Sequence, residues 1–211
     1  MLRILLPILL LAPPAAASPV RRVRWVMGTA LEITAYGPEA AVEAAFQEVE
    51  RLDRILSLYK ADSELSSLNQ AAAEAPFACS DSMWEAVSLS DRLAAASRGA
   101  FDPTVLPLIR GGAGELPRVG YAFLALNHRN RTVRFLKKGM GLDFGGLGKG
   151  LALDKAAAVL RRAGARAALL NFGGQVYALG AEPGREGWLV RAWGGPNLLL
   201  RDASASTSGN S

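Results

Sequence analysis

Apolar positions along this chain first alternate with polar ones and then shift to a helical period. From Val20 to Tyr36, Val23, Trp25, Val26, Leu31 and Ile33 alternate loosely, which predicts one or two strands broken at Met27-Gly28-Thr29. A glycine at the break implies a bend or the close approach of a ligand. Between Pro38 and Leu56 the period changes: Val42, Ala45, Phe46, Val49, Leu52 and Leu56 recur at helical spacing with Glu and Arg opposite, predicting an amphipathic helix. Ser57 to Asn69 is polar and irregular and predicts no element. Ser82-Met83-Trp84-Glu85 has capping-box spacing and opens a second helix expected to run to about Ser97, with Gly99 marking its end.

The remainder mixes both periods. A Gly-rich connection from Gly111 to Gly120 precedes expected strands around Tyr121 to Leu126 and Thr132 to Leu136. Asp143 to Gly164 passes from a glycine-rich turn into an Ala-rich helix, with Leu153, Ala157 and Leu160 on one face and Gly164 as its C-terminal stop. Ala168 to Phe172, Gln175 to Leu179 and Trp188 to Trp193 then predict strands. No βαβ rhythm repeats and no linker interrupts the chain, so the expected class is α+β, in one domain over residues 18–211 with room for a small lobe.

Composition changes this picture mainly at the N-terminus. Residues 1–17 place Arg3 before an apolar run from Ile4 to Leu11 and a small Ala15-Ala16-Ala17 end, the layout of a secretory signal peptide. That run is too short to span a bilayer and no later stretch is long enough, so an exported protein without a transmembrane segment is expected. The only Cys, Cys79, is far from the expected cleavage point, so no lipid anchor is expected, and a lone Cys closes no internal disulfide. The net charge of +5 favours phosphorylated ligands. Its Lys and Arg residues are scattered, without a basic helix and interleaved aromatics, which argues against nucleic acid as a partner.

The stretch with most chemical content is Gly141-Leu142-Asp143-Phe144-Gly145-Gly146-Leu147-Gly148-Lys149-Gly150. Glycines ahead of a helix bring backbone N–H groups close to an anion, the helix N-terminus adds partial positive charge, and Lys149 adds a full one. Lys149 is followed by Gly150 rather than Ser or Thr, so this is not a Walker loop, and Leu151 stands where the Rossmann spacing needs Gly. Asp143 either meets a ligand or a cation or caps the turn, and both readings are open. Asp102, before Pro103, suits an Asx turn toward Thr104 or a ligand contact. Met27 and Tyr59 lie just beyond regular elements, where they could flank a flat ring or pack in the core. His128, the only His, falls in the polar Asn127-His128-Arg129-Asn130 turn, which argues against a hydrolase triad or a His-ligated zinc.

Taken in order and spacing, these segments resemble the ApbE-type FAD:protein FMN transferases. The matching pieces are Met27-Gly28-Thr29, Leu52-Asp53 through Leu56-Ser57-Leu58-Tyr59, Asp62-Ser63-Glu64-Leu65 and Leu68-Asn69, then Gly99-Ala100-Phe101-Asp102-Pro103-Thr104 with Pro107-Leu108. They continue through Leu142-Asp143-Phe144-Gly145-Gly146-Leu147-Gly148-Lys149-Gly150, Leu153-Asp154, Asn171-Phe172-Gly173-Gly174 and Thr207-Ser208-Gly209-Asn210. The resemblance implies a mixed fold of antiparallel strands and several packed helices. It also implies a periplasmic or surface enzyme that splits FAD at its pyrophosphate and, with Mg²⁺, moves FMN onto a Thr or Ser hydroxyl of an acceptor protein, releasing AMP. By motif position, FAD contacts would fall on Met27, Tyr59, Ala100, Phe101, Asp102, Asp143 and Lys149, and the backbone carbonyl of Gly146 would ligate the metal. No catalytic residue is assigned. Similar proteins continue past the Thr-Ser-Gly segment into further metal-binding residues, so a chain truncated at its C-terminus is expected. The alternative is an FAD-binding or flavin-trafficking protein without chemistry.

Overall fold

The computed structural model describes residues 18–191 and 195–207. The expected signal peptide (residues 1–17), residues 208–211 of the Thr-Ser-Gly segment and the end of the strand expected to reach Trp193 lie outside the described residues. Helices and antiparallel sheets mix without a βαβ rhythm, as an α+β fold requires.

Strands β1 (Val20–Val26) and β2 (Thr29–Tyr36) form a hairpin in which Val26 pairs with Thr29 across a two-residue turn. Both turn residues are left-handed, Met27 at φ 48° and Gly28 at φ 76°. This conformation matches the right-handed twist of the flanking strands. Gly28 adopts it freely, whereas the Cβ of Met27 makes it cost on the order of 1 kcal/mol. The expected break is therefore a tight turn.

Helix α1 (Glu39–Leu56) buries every apolar position named for it, from Val42 to Leu56. It lies against β1 and against helix α5 (Gly148–Arg162). The latter buries Leu153, Ala157 and Leu160 and stops at Gly164, whose φ of 88° favours a residue without a Cβ. Strands β6 (Ala167–Phe172), β7 (Gln175–Leu179) and β10 (Ala203–Ser206) complete a five-stranded antiparallel sheet ordered β1-β2-β6-β7-β10. Alternation on β2 sends Leu31, Ile33 and Ala35 into the same core as Phe46 and Leu153. Losing the Phe46 ring from that core would cost about 3–5 kcal/mol.

On the sheet's other face, β8 (Trp188–Arg191) and β9 (Asn197–Leu200) form a separate hairpin. Trp188 from this hairpin packs with Ala167 and Ala178, and its Nε1–H donates to the Leu179 carbonyl at 3.3 Å. Neither β9 nor β10 was expected, because their short runs carry no strong alternation.

Three further differences have local causes. The irregular Ser57–Asn69 stretch contains helix α2 (Glu64–Ala71), in which only Leu65 and Leu68 are buried. Two buried positions are too few to announce a period, and the signal lies in the cap instead: Ser63 Oγ accepts from Ser66 N–H at 3.0 Å. Helix α3 (Asp81–Ala96) is capped by Ser80, not Ser82, with Ser80 Oγ accepting from Met83 N–H at 3.3 Å. Glu64 of α2 accepts from both the Ser80 N–H and hydroxyl, so the acid that completes the cap comes from a neighbouring helix. Finally, α4 (Leu106–Gly111) ends where the glycine-rich connection begins, and a 3-10 segment at Ala113–Arg118 lies within that connection. Another 3-10 turn at Tyr121–Phe123 delays the expected strand, so that β4 is Leu124–Asn127. It pairs with β5 (Thr132–Phe135), and β5 also pairs with the short β3 (Phe77–Ala78).

Candidate active site

A pocket of about 520 Å³ opens where the β1–β2 turn, the C-terminal end of α1 and the glycine-rich loop before α5 meet. The turn contributes Met27, Gly28 and Thr29. Helix α1 and its exit contribute Asp53 and residues 56–60. The loop contributes Asp143, Phe144, Gly145, Gly148 and Lys149.

Each wall is held by hydrogen bonds that the sequence prepares. After α1, the buried Ser63 donates its hydroxyl to the Ser57 carbonyl at 2.6 Å, and Tyr59 N–H donates to Ser57 Oγ at 3.1 Å. The loop is pinned on both sides of Tyr59, yet its ring is 99% exposed at the pocket's edge. An aromatic ring left in water next to a concave site provides a face for a planar ligand. Beside it, Lys60 Nζ donates to Asp53 Oδ2 at 2.6 Å.

The glycine-rich loop is positioned from two other elements. Asn69 of α2 brackets the backbone of buried Leu142, and Asp143 N–H donates to the Pro103 carbonyl at 2.8 Å. Asp143 then turns the chain, its Oδ1 accepting from Gly145 N–H at 2.6 Å. A Cβ on Gly145 would come within 3.0 Å of that oxygen, so the turn favours glycine there. No side chain caps the start of α5, and the first intrahelical bond of its opening turn runs from Leu151 N–H to the Leu147 carbonyl. Gly148 N–H donates to the Phe144 carbonyl at 2.6 Å, so at this helix N-terminus it is the N–H groups of Lys149 and Gly150 that are left for negative charge.

The structure thus brings Met27, Tyr59, Asp143 and Lys149 into one pocket, and it leaves the other expected contacts outside it. Gly146 lines a second cleft of about 250 Å³ with Asp154, Gln175, Tyr177 and Ser204 among its neighbours. Desolvation at this cleft raises the Asp154 carboxyl above its ordinary value, even though the residue as a whole stays exposed. Ala100, Phe101 and Asp102 line neither cleft. The Phe101 ring sits against Gly146, where an added Cβ would approach it to 3.3 Å. Both carboxylate oxygens of Asp102 are engaged within the protein: Oδ1 accepts from Thr104 N–H at 2.8 Å and its hydroxyl at 2.6 Å, and Oδ2 accepts from Tyr121 N–H at 3.0 Å. The Asx turn toward Thr104 is thus formed.

Asp53, Lys60, Ser57 and Thr29 are pocket residues to which the sequence alone assigned no role. Their available signal was proximity to Met27 and Tyr59. Cys79 and His128 stand apart from the pocket. Burial pushes the Cys79 thiol up to about 12, with the Glu64 charge adding to it, so the group is a protonated thiol near neutrality. His128 is exposed in its turn and meets Trp84 edge-on, ring centres 5.2 Å apart.

The arrangement therefore offers an aromatic and a thioether for a flat ring, with Lys149 and a helix N-terminus for an anion. The FAD:protein FMN transferase of Rhodobacter capsulatus is 33% identical over 93% of this chain and 43% of its own length. That of Treponema pallidum is 28% identical over 77% of this chain and 52% of its own. The chain spans about half the length of the curated relatives it matches. Among solved structures, the ApbE protein of Thermotoga maritima superposes with a TM-score of 0.83 at 21% identity, covering 91% of this chain and 71% of that one. The apo flavinyl transferase ApbE of Pseudomonas stutzeri gives 0.81 at 24% identity, over 94% and 73%. These likenesses establish the fold. The family model described as the ApbE family matches residues 27–211, and with that match the chain belongs to the ApbE family.

Proposed function

We propose that this chain carries the FAD site of an FAD:protein FMN transferase, which moves FMN from FAD to a Thr or Ser hydroxyl of an acceptor protein and releases AMP. The observation that carries this reading is the convergence of Met27, Tyr59, Asp143 and Lys149 from three chain segments into one pocket. In the transfer, the acceptor oxygen bonds to the FMN-side phosphorus, the pyrophosphate P–O bond breaks, and AMP departs with its electron pair. The hydroxyl proton passes to a base that the described residues do not identify. Lys149 and the α5 N-terminus would bind the phosphates and stabilise charge on the oxygens as the bond breaks. Met27 and Tyr59 would orient the isoalloxazine ring.

Mg²⁺ is the expected companion ion, with the Gly146 carbonyl as one ligand. The described residues contain no group of three or more His, Cys, Asp or Glu side chains that could hold a metal. Mg²⁺ requires near-octahedral oxygen coordination, so Gly146 and its neighbours do not by themselves make a site, and no step is assigned to the ion. The pattern of residues 1–17 supports export to the periplasm, and no described helix is long and apolar enough to cross a membrane.

Incubating the full-length protein with FAD, Mg²⁺ and a candidate acceptor tests the proposal. Covalent FMN on the acceptor with stoichiometric AMP supports it. Bound FAD without AMP identifies a flavin-holding protein, and free FMN with AMP and no protein label identifies a hydrolase.

A further inference from the structure

Two charged residues of the pocket have no part in the reading above. Asp53 lies at the C-terminal end of α1, and Lys60 lies in the loop that follows. Their contact is close, Nζ to Oδ2 at 2.6 Å, with 13% of the Asp53 side chain and 41% of the Lys60 side chain exposed. The backbone beneath the ammonium is fixed, because the Lys60 carbonyl accepts from Ser63 N–H at 3.1 Å and from the Ser66 hydroxyl at 2.8 Å.

An ion pair open to water on one side adds little to stability, at most about 1 kcal/mol. Its placement has a larger consequence. The lining carboxylates Asp53 and Asp143 balance Lys60 and Lys149, so the side chains offer an entering dianion no net charge. Attraction must come from donors that can turn toward the ligand. An ammonium has three N–H donors, and Asp53 occupies one of those on Lys60, leaving two.

We propose that Lys60, held in place by Asp53, is a second cation for the phosphates of the dinucleotide, supplied by the loop after α1 while Lys149 is supplied by α5. This rests on the FAD reading and deepens it: the pocket selects ligands bearing a pyrophosphate over the bare flavin through two lysines on separate elements.

The test compares FAD with riboflavin, which has the same ring and no phosphate, binding to full-length wild type, Lys60→Gln and Lys60→Arg. Lys60→Gln is expected to weaken FAD binding roughly five- to twentyfold while riboflavin stays within about twofold, and Lys60→Arg is expected to restore most of the loss. The salt dependence of FAD affinity should also become shallower in Lys60→Gln. Equal weakening of both ligands would make Lys60 merely structural and overturn the proposal. So would unchanged FAD affinity in Lys60→Gln beside a wild type that binds FAD. A wild type that binds no FAD would overturn this inference together with the reading beneath it.

Discussion

The Asn69 side-chain amide clasps the backbone of Leu142 from both sides, donating to its carbonyl at 2.9 Å and accepting from its N–H at 2.7 Å. The two residues are 73 positions apart, and Leu142 immediately precedes Asp143. The clasp imitates one rung of a β-ladder and sets the register with which the glycine-rich loop enters the pocket. Replacing Asn69 by Ala leaves both backbone groups of buried Leu142 without these partners, which should cost about 2 kcal/mol. A denaturant titration checks that cost. FAD affinity should also fall, roughly tenfold, because a misplaced loop no longer presents its donors. Unchanged binding in the folded variant would show that α2 does not position the loop.

Lys149 supplies its charge at the opening of α5, where no side chain competes for the helix N-terminus. Lys149→Ala should weaken FAD binding at least tenfold, in line with loss of a charge-assisted contact worth about 1.5–3 kcal/mol. Fluorescence titrations at two salt concentrations provide the check, since wild-type affinity should fall more steeply with salt than that of the variant.

Met27 combines a backbone cost with a ligand-facing position. Asn tolerates the left-handed region better in a turn of this kind, but Met27 also packs against the hydrophobic core, so in Met27→Asn the backbone relief is offset by lost apolar contact and stability should stay within about 1 kcal/mol of wild type. The same change removes a thioether from the pocket and should weaken flavin binding. A nearly unchanged melting temperature with lower FAD affinity is the expected pair of results. Equal or better affinity would remove Met27 from the ring-binding wall.

Cys79 sets a pH dependence. Its thiol is raised from an ordinary 9.0 to about 12 in the folded protein. A raised value favours folding fully below the ordinary pKa, and the contribution is lost as pH rises from about 9 toward 12, because the unfolded chain ionises first. Cys79→Ser should therefore lessen the loss of stability over that alkaline range. A thiol-specific reagent at pH 8 should also leave native Cys79 unlabelled and label it fully after denaturation. Rapid labelling of the native protein would contradict this account.

Local physics determined part of this protein before any fold was known. The period of α1, the Gly164 stop of α5, the break at Met27-Gly28 and the glycine-rich turn before Lys149 follow from residue spacing and glycine conformation, which act over a few positions. Ordered motifs also marked four residues that meet in the pocket, although they are drawn from segments far apart in sequence. Tertiary structure alone decided the rest. Helix α2 declared itself through the Ser63 cap and the Asn69 clasp rather than through a period. Glu64 completed the cap of another helix, Asp102 spent both oxygens on Thr104 and Tyr121, and Gly146 came to face a second cleft. The Asn69 clasp, the Glu64 contact, the Asp102–Tyr121 bond and the Phe101–Gly146 packing each join separate segments, which residue spacing within one element cannot specify.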